Sequence, residues 1–134
     1  MSDIVFLNGD FLKAEDAKVS IFDRGYLFGD GIYEVVPVVN GKVIDKVPFF
    51  ERFEGSLSKI DLKAPFCKAE IITILDTLIA KNDLVEGGIY MQVTRGVAPR
   101  EFYFPQNTPT TFMAFIFKKE VINNPLAHTG VKVV

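Results

Sequence analysis

A single cysteine, Cys67, and a single histidine, His128, narrow the chemistry open to this 134-residue chain. One cysteine excludes an internal disulfide or a cysteine-built metal cluster, and it fits a reducing, cytoplasmic setting. A catalytic thiol wants a base beside it. The lone histidine stands near the far end of the sequence, so Cys67 reads as structural. No apolar run is long enough to span a bilayer, and MSDIVFLNGD lacks the basic-then-apolar order of a secretion signal. Neither sign of charge dominates: 15 basic against 17 acidic side chains give a net charge of −2. Without a basic block, nothing points to nucleic acid or an anionic membrane as partner.

What is present is ordinary for one compact domain: 49% hydrophobic and 24% charged residues. Asn8-Gly9 and Asn40-Gly41 each separate short apolar runs, the strongest local hairpin signal. Pro37, inside the strand of residues 35–39, implies an edge position or a bulge. Pro48 opens a predicted helix to about Lys59, with Phe49, Phe53, Leu57 and Ile60 on one face. A second helix is predicted over Lys68 to Lys81, with a core stripe of Ile71, Ile72, Leu75, Leu78 and Ile79. After Gly87-Gly88, Ile89, Met91 and Val93 alternate with Tyr90, Gln92 and Thr94 in strand fashion, and Thr110 to Phe117 is another apolar strand. Hairpins, then helices, then strands argue for an α+β layer and against a doubly wound parallel sheet. The expected division is a domain over residues 1–120, a polar linker over 121–130, and the start of a truncated second domain at 131–134.

The stretch DRGYLFGDGIYE, Asp23 to Glu34, is organised differently from its surroundings. It sets three glycines among acids, an arginine and two tyrosines, then runs straight into a core strand. Such a segment either makes a tight turn or delivers side chains to a site. Arg24 is expected to brace that turn through an ion pair. Arg95, beside a strand end in QVTRGVAP, is expected to pair with an acid such as Asp30.

Taken with IDL at Ile60–Leu62, IYMQVTRG at Ile89–Gly96 and FPQNT at Phe104–Thr108, these motifs resemble the amino-terminal half of the fold-type-IV pyridoxal-phosphate enzymes. Within that group the chain is most similar to the D-amino-acid aminotransferases. The resemblance runs from about Phe6 to the end. It implies a small two-layer domain, an antiparallel-rich sheet packed against two helices. It also implies pyridoxal 5'-phosphate as cofactor, amino-acid and 2-oxo-acid substrates, and a homodimer with shared active sites.

Residue by residue, the resemblance places Arg52 at a phosphate-binding position, where a guanidinium fork suits phosphate oxygens. It places Tyr33 at the substrate carboxylate. It makes Arg100 one member of a carboxylate trap, reaching into the site of the neighbouring subunit. One position departs from the pattern: Phe102 stands where the D-amino-acid enzymes have a histidine, and phenylalanine cannot hydrogen-bond a carboxylate. A more apolar mouth formed by Phe102 and Tyr103 would favour a bulkier substrate. The Schiff-base lysine of such enzymes follows the linker, and Lys118, Lys119 and Lys132 do not match its context. No catalytic residue is therefore assigned, and the chain alone is expected to be inactive and not to hold the cofactor stably. Two other readings stay open: an aminodeoxychorismate lyase or branched-chain aminotransferase on the same scaffold, and a non-catalytic binding or dimerisation module.

Overall fold

The computed structural model describes residues 3–122, 124 and 126–133. Six strands form one fully antiparallel sheet: β1 (Ile4–Leu7), β2 (Asp10–Lys13), β3 (Gly31–Val39), β4 (Lys42–Val43), β5 (Gly87–Thr94) and β6 (Thr111–Lys118). Their order across the sheet is β2-β1-β6-β5-β3-β4. Both predicted hairpins are present. Asn8 and Asn40 take left-handed φ values of 50° and 51°, with Gly9 and Gly41 also positive, as two-residue hairpin loops require.

Pro37 sits next to the sheet edge. Its carbonyl accepts from the Ile44 amide at 3.1 Å. A strand residue presents its N–H and C=O to the same side, so the missing N–H faces the two-residue β4 and costs β5 nothing. Gly87 and Gly88, expected to precede the strand, are its first two residues. The Phe117 ring lies against Gly88 where a Cβ would collide with it.

Two helices cover one face. Helix α2 runs Lys46–Lys59 and α3 runs Lys68–Lys81. Pro48 falls in the first turn of α2, where its lacking N–H is harmless. Phe49, Phe53 and Leu57 of α2 and Ile71, Leu75, Leu78 and Ile79 of α3 meet Val36, Val38, Ile89, Met91, Val93, Phe112, Ala114 and Ile116 in one core. The α3 stripe differs from expectation by one place: Ile74 is buried, and Ile72 packs at its margin. The architecture is the expected two-layer α+β domain.

The other sheet face carries Tyr33, Tyr90 and Phe115 in a row. Tyr33 stacks on Tyr90 with centroids 5.4 Å apart, and Tyr90 on Phe115 at 5.0 Å. At one end of the sheet lies α1 (Arg24–Phe28), a five-residue helix where the glycines alone suggested a turn. Beyond β6, the Glu86 carboxylate accepts from the amides of Val121 and Ile122, both at 2.6 Å. The stretch expected as a linker carries a one-turn helix, α4 (Leu126–Thr129). Val131, Lys132 and Val133 are exposed without a regular element, and Val134 lies outside the described residues.

Candidate functional site

Asp23 builds the local structure of the central motif. Its Oδ1 accepts from the Gly25 amide at 2.8 Å, which caps α1, and its Oδ2 accepts from the Thr111 hydroxyl at 2.6 Å. Gly29 ends the helix in the left-handed conformation at φ 64°. Gly25 is demanded by space: a Cβ there would run into Thr94 Cγ2. The motif is also tied to the long loop after β5. The Arg24 amide donates to the Gly96 carbonyl at 2.8 Å, and the Arg95 amide to the Asp30 carbonyl at 3.0 Å.

Asp30 is the electrostatic centre of this end of the sheet. Its carboxylate accepts from Arg24 Nε at 2.7 Å and from Arg95 Nε at 3.0 Å. All three side chains are nearly buried, at 3% exposure for Arg24 and 9% for the other two. Burial works to raise the Asp30 pKa, but the hydrogen bonds and charges of Arg95 and Arg24 outweigh it and hold the carboxyl below its ordinary value. Both expected ion pairs are therefore present and share one acid. Each arginine also grips main chain. Arg95 donates to the carbonyls of Ile60 at 2.7 Å and Asp61 at 3.1 Å, and stacks at 3.7 Å from the Phe104 centroid. Arg24 donates to the Glu101 carbonyl at 2.7 Å.

The three residues singled out from the sequence lie around this frame without hydrogen-bonding one another among the described residues. Arg100 is exposed and lies near the rings of Phe28 and Phe102, at 5.3 and 5.4 Å. Tyr33 is exposed on the open sheet face against Tyr90. Burial, and then the neighbouring Tyr33, push the Tyr90 phenol up. Arg52 projects from α2 toward β3, its Nε 3.2 Å from Glu34 Oε2 and its Nη1 3.3 Å from the Pro48 carbonyl. Its side chain is 52% exposed. Among the described residues its Nη2 has no protein partner, so one prong of the fork is available to an anion.

Two participants had no assigned role in the sequence reading. Phe28, the last residue of α1, receives both Arg24 and Arg100 on its ring. An aromatic immediately before the capping Gly29 was the available signal. The reach of Arg24 to Glu101 spans 77 residues of sequence and leaves no local signature.

Residues 31–131 match the family profile of amino-transferase class IV. The chain is 48% identical over 101 residues to a D-alanine aminotransferase of Staphylococcus epidermidis, covering 75% of this chain and 36% of the relative. It is 41% identical over 124 residues to a D-alanine aminotransferase of Staphylococcus aureus, covering 92% and 43%. It thus spans less than half the length of these relatives. Its fold matches the crystal structure of a branched-chain amino acid aminotransferase of Escherichia coli, at TM-score 0.84 and 18% identity, covering 95% of this chain and 43% of that one. With the profile matching most of its length, the chain belongs to the class IV amino-transferases.

Proposed function

We propose that this chain supplies the amino-terminal domain of a pyridoxal-phosphate-dependent aminotransferase, which moves an amino group between an amino acid and a 2-oxo acid. D-amino acids are the donor class favoured by the names of its relatives. On this reading residues 121–130 lead toward a second domain, and the active enzyme is a homodimer with shared sites. The single observation that carries the reading is Arg100. It is an exposed guanidinium on a loop braced from below by buried ion pairs, with no hydrogen bond or ion pair of its own among the described residues. Such a group is suited to a bidentate contact with a carboxylate.

The cofactor's role is to act as electron sink for the amino-acid carbon while bound. The residues here fit its phosphate at one point. Arg52 keeps a donor free and is only partly neutralised by Glu34. Tyr33 offers a phenol O–H for a substrate carboxylate, with its ring backed by Tyr90. Phe102, 82% exposed, adds apolar surface beside Arg100 and favours a bulkier donor than D-alanine.

Two measurements test this. Pyridoxal phosphate added to the chain at low excess and then reduced with borohydride should leave no stoichiometric lysine adduct by intact mass. A single saturating adduct would overturn the expectation that the chain alone is inactive. In the enzyme containing this chain, rates with D-alanine, D-leucine, L-leucine and aminodeoxychorismate separate the reactions. Preferential release of pyruvate from aminodeoxychorismate would replace the aminotransferase reading with the lyase.

A further inference from the structure

Arg100 meets aromatic rings rather than acids. Its Cζ lies 5.3 Å from the Phe28 centroid and 5.4 Å from the Phe102 centroid, and the two rings stand 6.1 Å apart at 54°. An acid that held this arginine would occupy its donors and cancel its charge. Rings attract the cation by their quadrupole and leave the in-plane N–H groups unspent. Arg24 and Arg95 show the opposite arrangement, buried and bound to Asp30.

Both rings are themselves placed by the buried frame. Phe28 closes α1, and Arg24 lies 4.7 Å from its centroid. The same Arg24 grips the carbonyl of Glu101, the residue between Arg100 and Phe102. One buried ion pair therefore fixes the backbone from which the guanidinium and one ring project, and contacts the other ring directly.

We infer that Phe28 and Phe102 are positioning residues that form an aromatic clamp on Arg100, holding it for a carboxylate whose hydrocarbon part packs on the exposed Phe102 ring. This rests on the reading of Arg100 as a carboxylate ligand. It adds the ligand class: carboxylates with an apolar group close to the carboxylate are preferred to those with no hydrocarbon to lay on the Phe102 ring. Phe102 thus has a use of its own, separate from any hydrogen bond a histidine would make there.

The test follows the Arg100 Nε–Hε resonance by NMR in the labelled chain, with isovalerate as probe against chloride at matched ionic strength and with formate for comparison. The clamp predicts a restrained side chain whose resonance moves with isovalerate more than with formate, which has no hydrocarbon group to pack on Phe102. Phe28→Leu and Phe102→Leu should each loosen it and weaken isovalerate binding by about three-fold, and Phe102→Tyr should preserve both properties. Phe102 is exposed enough for leucine to leave the fold intact, so the test stands even if Phe28→Leu disturbs α1. A mobile guanidinium that still answers isovalerate would overturn the clamp alone. A restrained one that ignores isovalerate would overturn the carboxylate reading, and with it the clamp's purpose.

Discussion

Arg24 Nη1 donates to the main-chain oxygen of Glu101 at 2.7 Å while its Nε holds Asp30 at the same distance. One buried side chain thus locks the central motif to the loop after β5. Removing one partner of a buried ion pair leaves an uncompensated charge. Asp30→Ala leaves two buried guanidiniums facing each other and should destabilise the domain by about 3 kcal/mol. Arg24→Met leaves Asp30 still paired with Arg95 and should cost less. Urea unfolding of both variants checks the order, and equal losses would show that the two arginines do not share the load through Asp30.

Acid should weaken the same cluster. The folded-state pKa of Asp30 is depressed, so in the acid range the unfolded chain binds the additional proton and stability rises with pH. The contribution is fully present above the ordinary carboxylate range, around pH 4, and is lost as pH falls through the depressed value. The stability gap between the natural chain and Asp30→Asn should be constant near neutrality and close below about pH 4. A gap that widens on acidification would contradict the assigned sign.

Steric fit at Gly25 makes a paired prediction. Gly25→Ala puts a methyl into Thr94 Cγ2, with Asp23 Oδ1 and Thr94 Cβ each 3.0 Å away. Overpacking of this kind costs about 1–3 kcal/mol. Thr94→Ser removes the offending methyl and keeps the hydroxyl, whose oxygen accepts from the Gly96 amide. The double variant should recover part of the loss in thermal melts. Strict additivity of the two single changes would place the strain elsewhere.

A spectroscopic prediction concerns the open sheet face. Burial, and then Tyr33, raise the Tyr90 phenol above its ordinary range. Tyr33→Phe keeps the stacked ring and removes the second phenol. Ultraviolet titration should then show Tyr90 ionising at lower pH than in the natural chain, though still late because its burial persists. An unchanged titration would mean that burial alone sets the shift.

The parts of this fold visible in sequence were those with a local cause. The Asn-Gly pairs require positive φ, the α2 and α3 stripes repeat with the helical turn, and β5 alternates residue by residue. The pairing of Arg95 with Asp30 was also foreseeable, because the motif offers few acids to a strand-end arginine. Helix α1 was hidden because it is too short for periodicity and is held by Asp23, Thr111 and the Gly96 carbonyl, contacts made across the fold. The ring contacts of Arg100 were hidden for the same reason. Phe28 and Phe102 lie 74 positions apart, and only the loop's return toward α1 brings them together.

The two Asn-Gly hairpins carry a consequence for the protein's chemical ageing. Asparagine before glycine loses ammonia when the glycine nitrogen attacks the side-chain carbonyl, because glycine has no side chain to obstruct it. At Asn8 that carbonyl oxygen is engaged, accepting from the Phe112 amide at 2.8 Å. At Asn40 the attacking atom is engaged instead, since the Gly41 amide donates to the Val85 carbonyl at 2.9 Å. Each turn thus fixes the orientation of one of its two reacting groups, the Asn8 side chain or the Gly41 nitrogen, so deamidation should be slower in the folded domain than when the sheet opens. The fraction deamidated in an aged sample should therefore rise with the time the chain has spent unfolded.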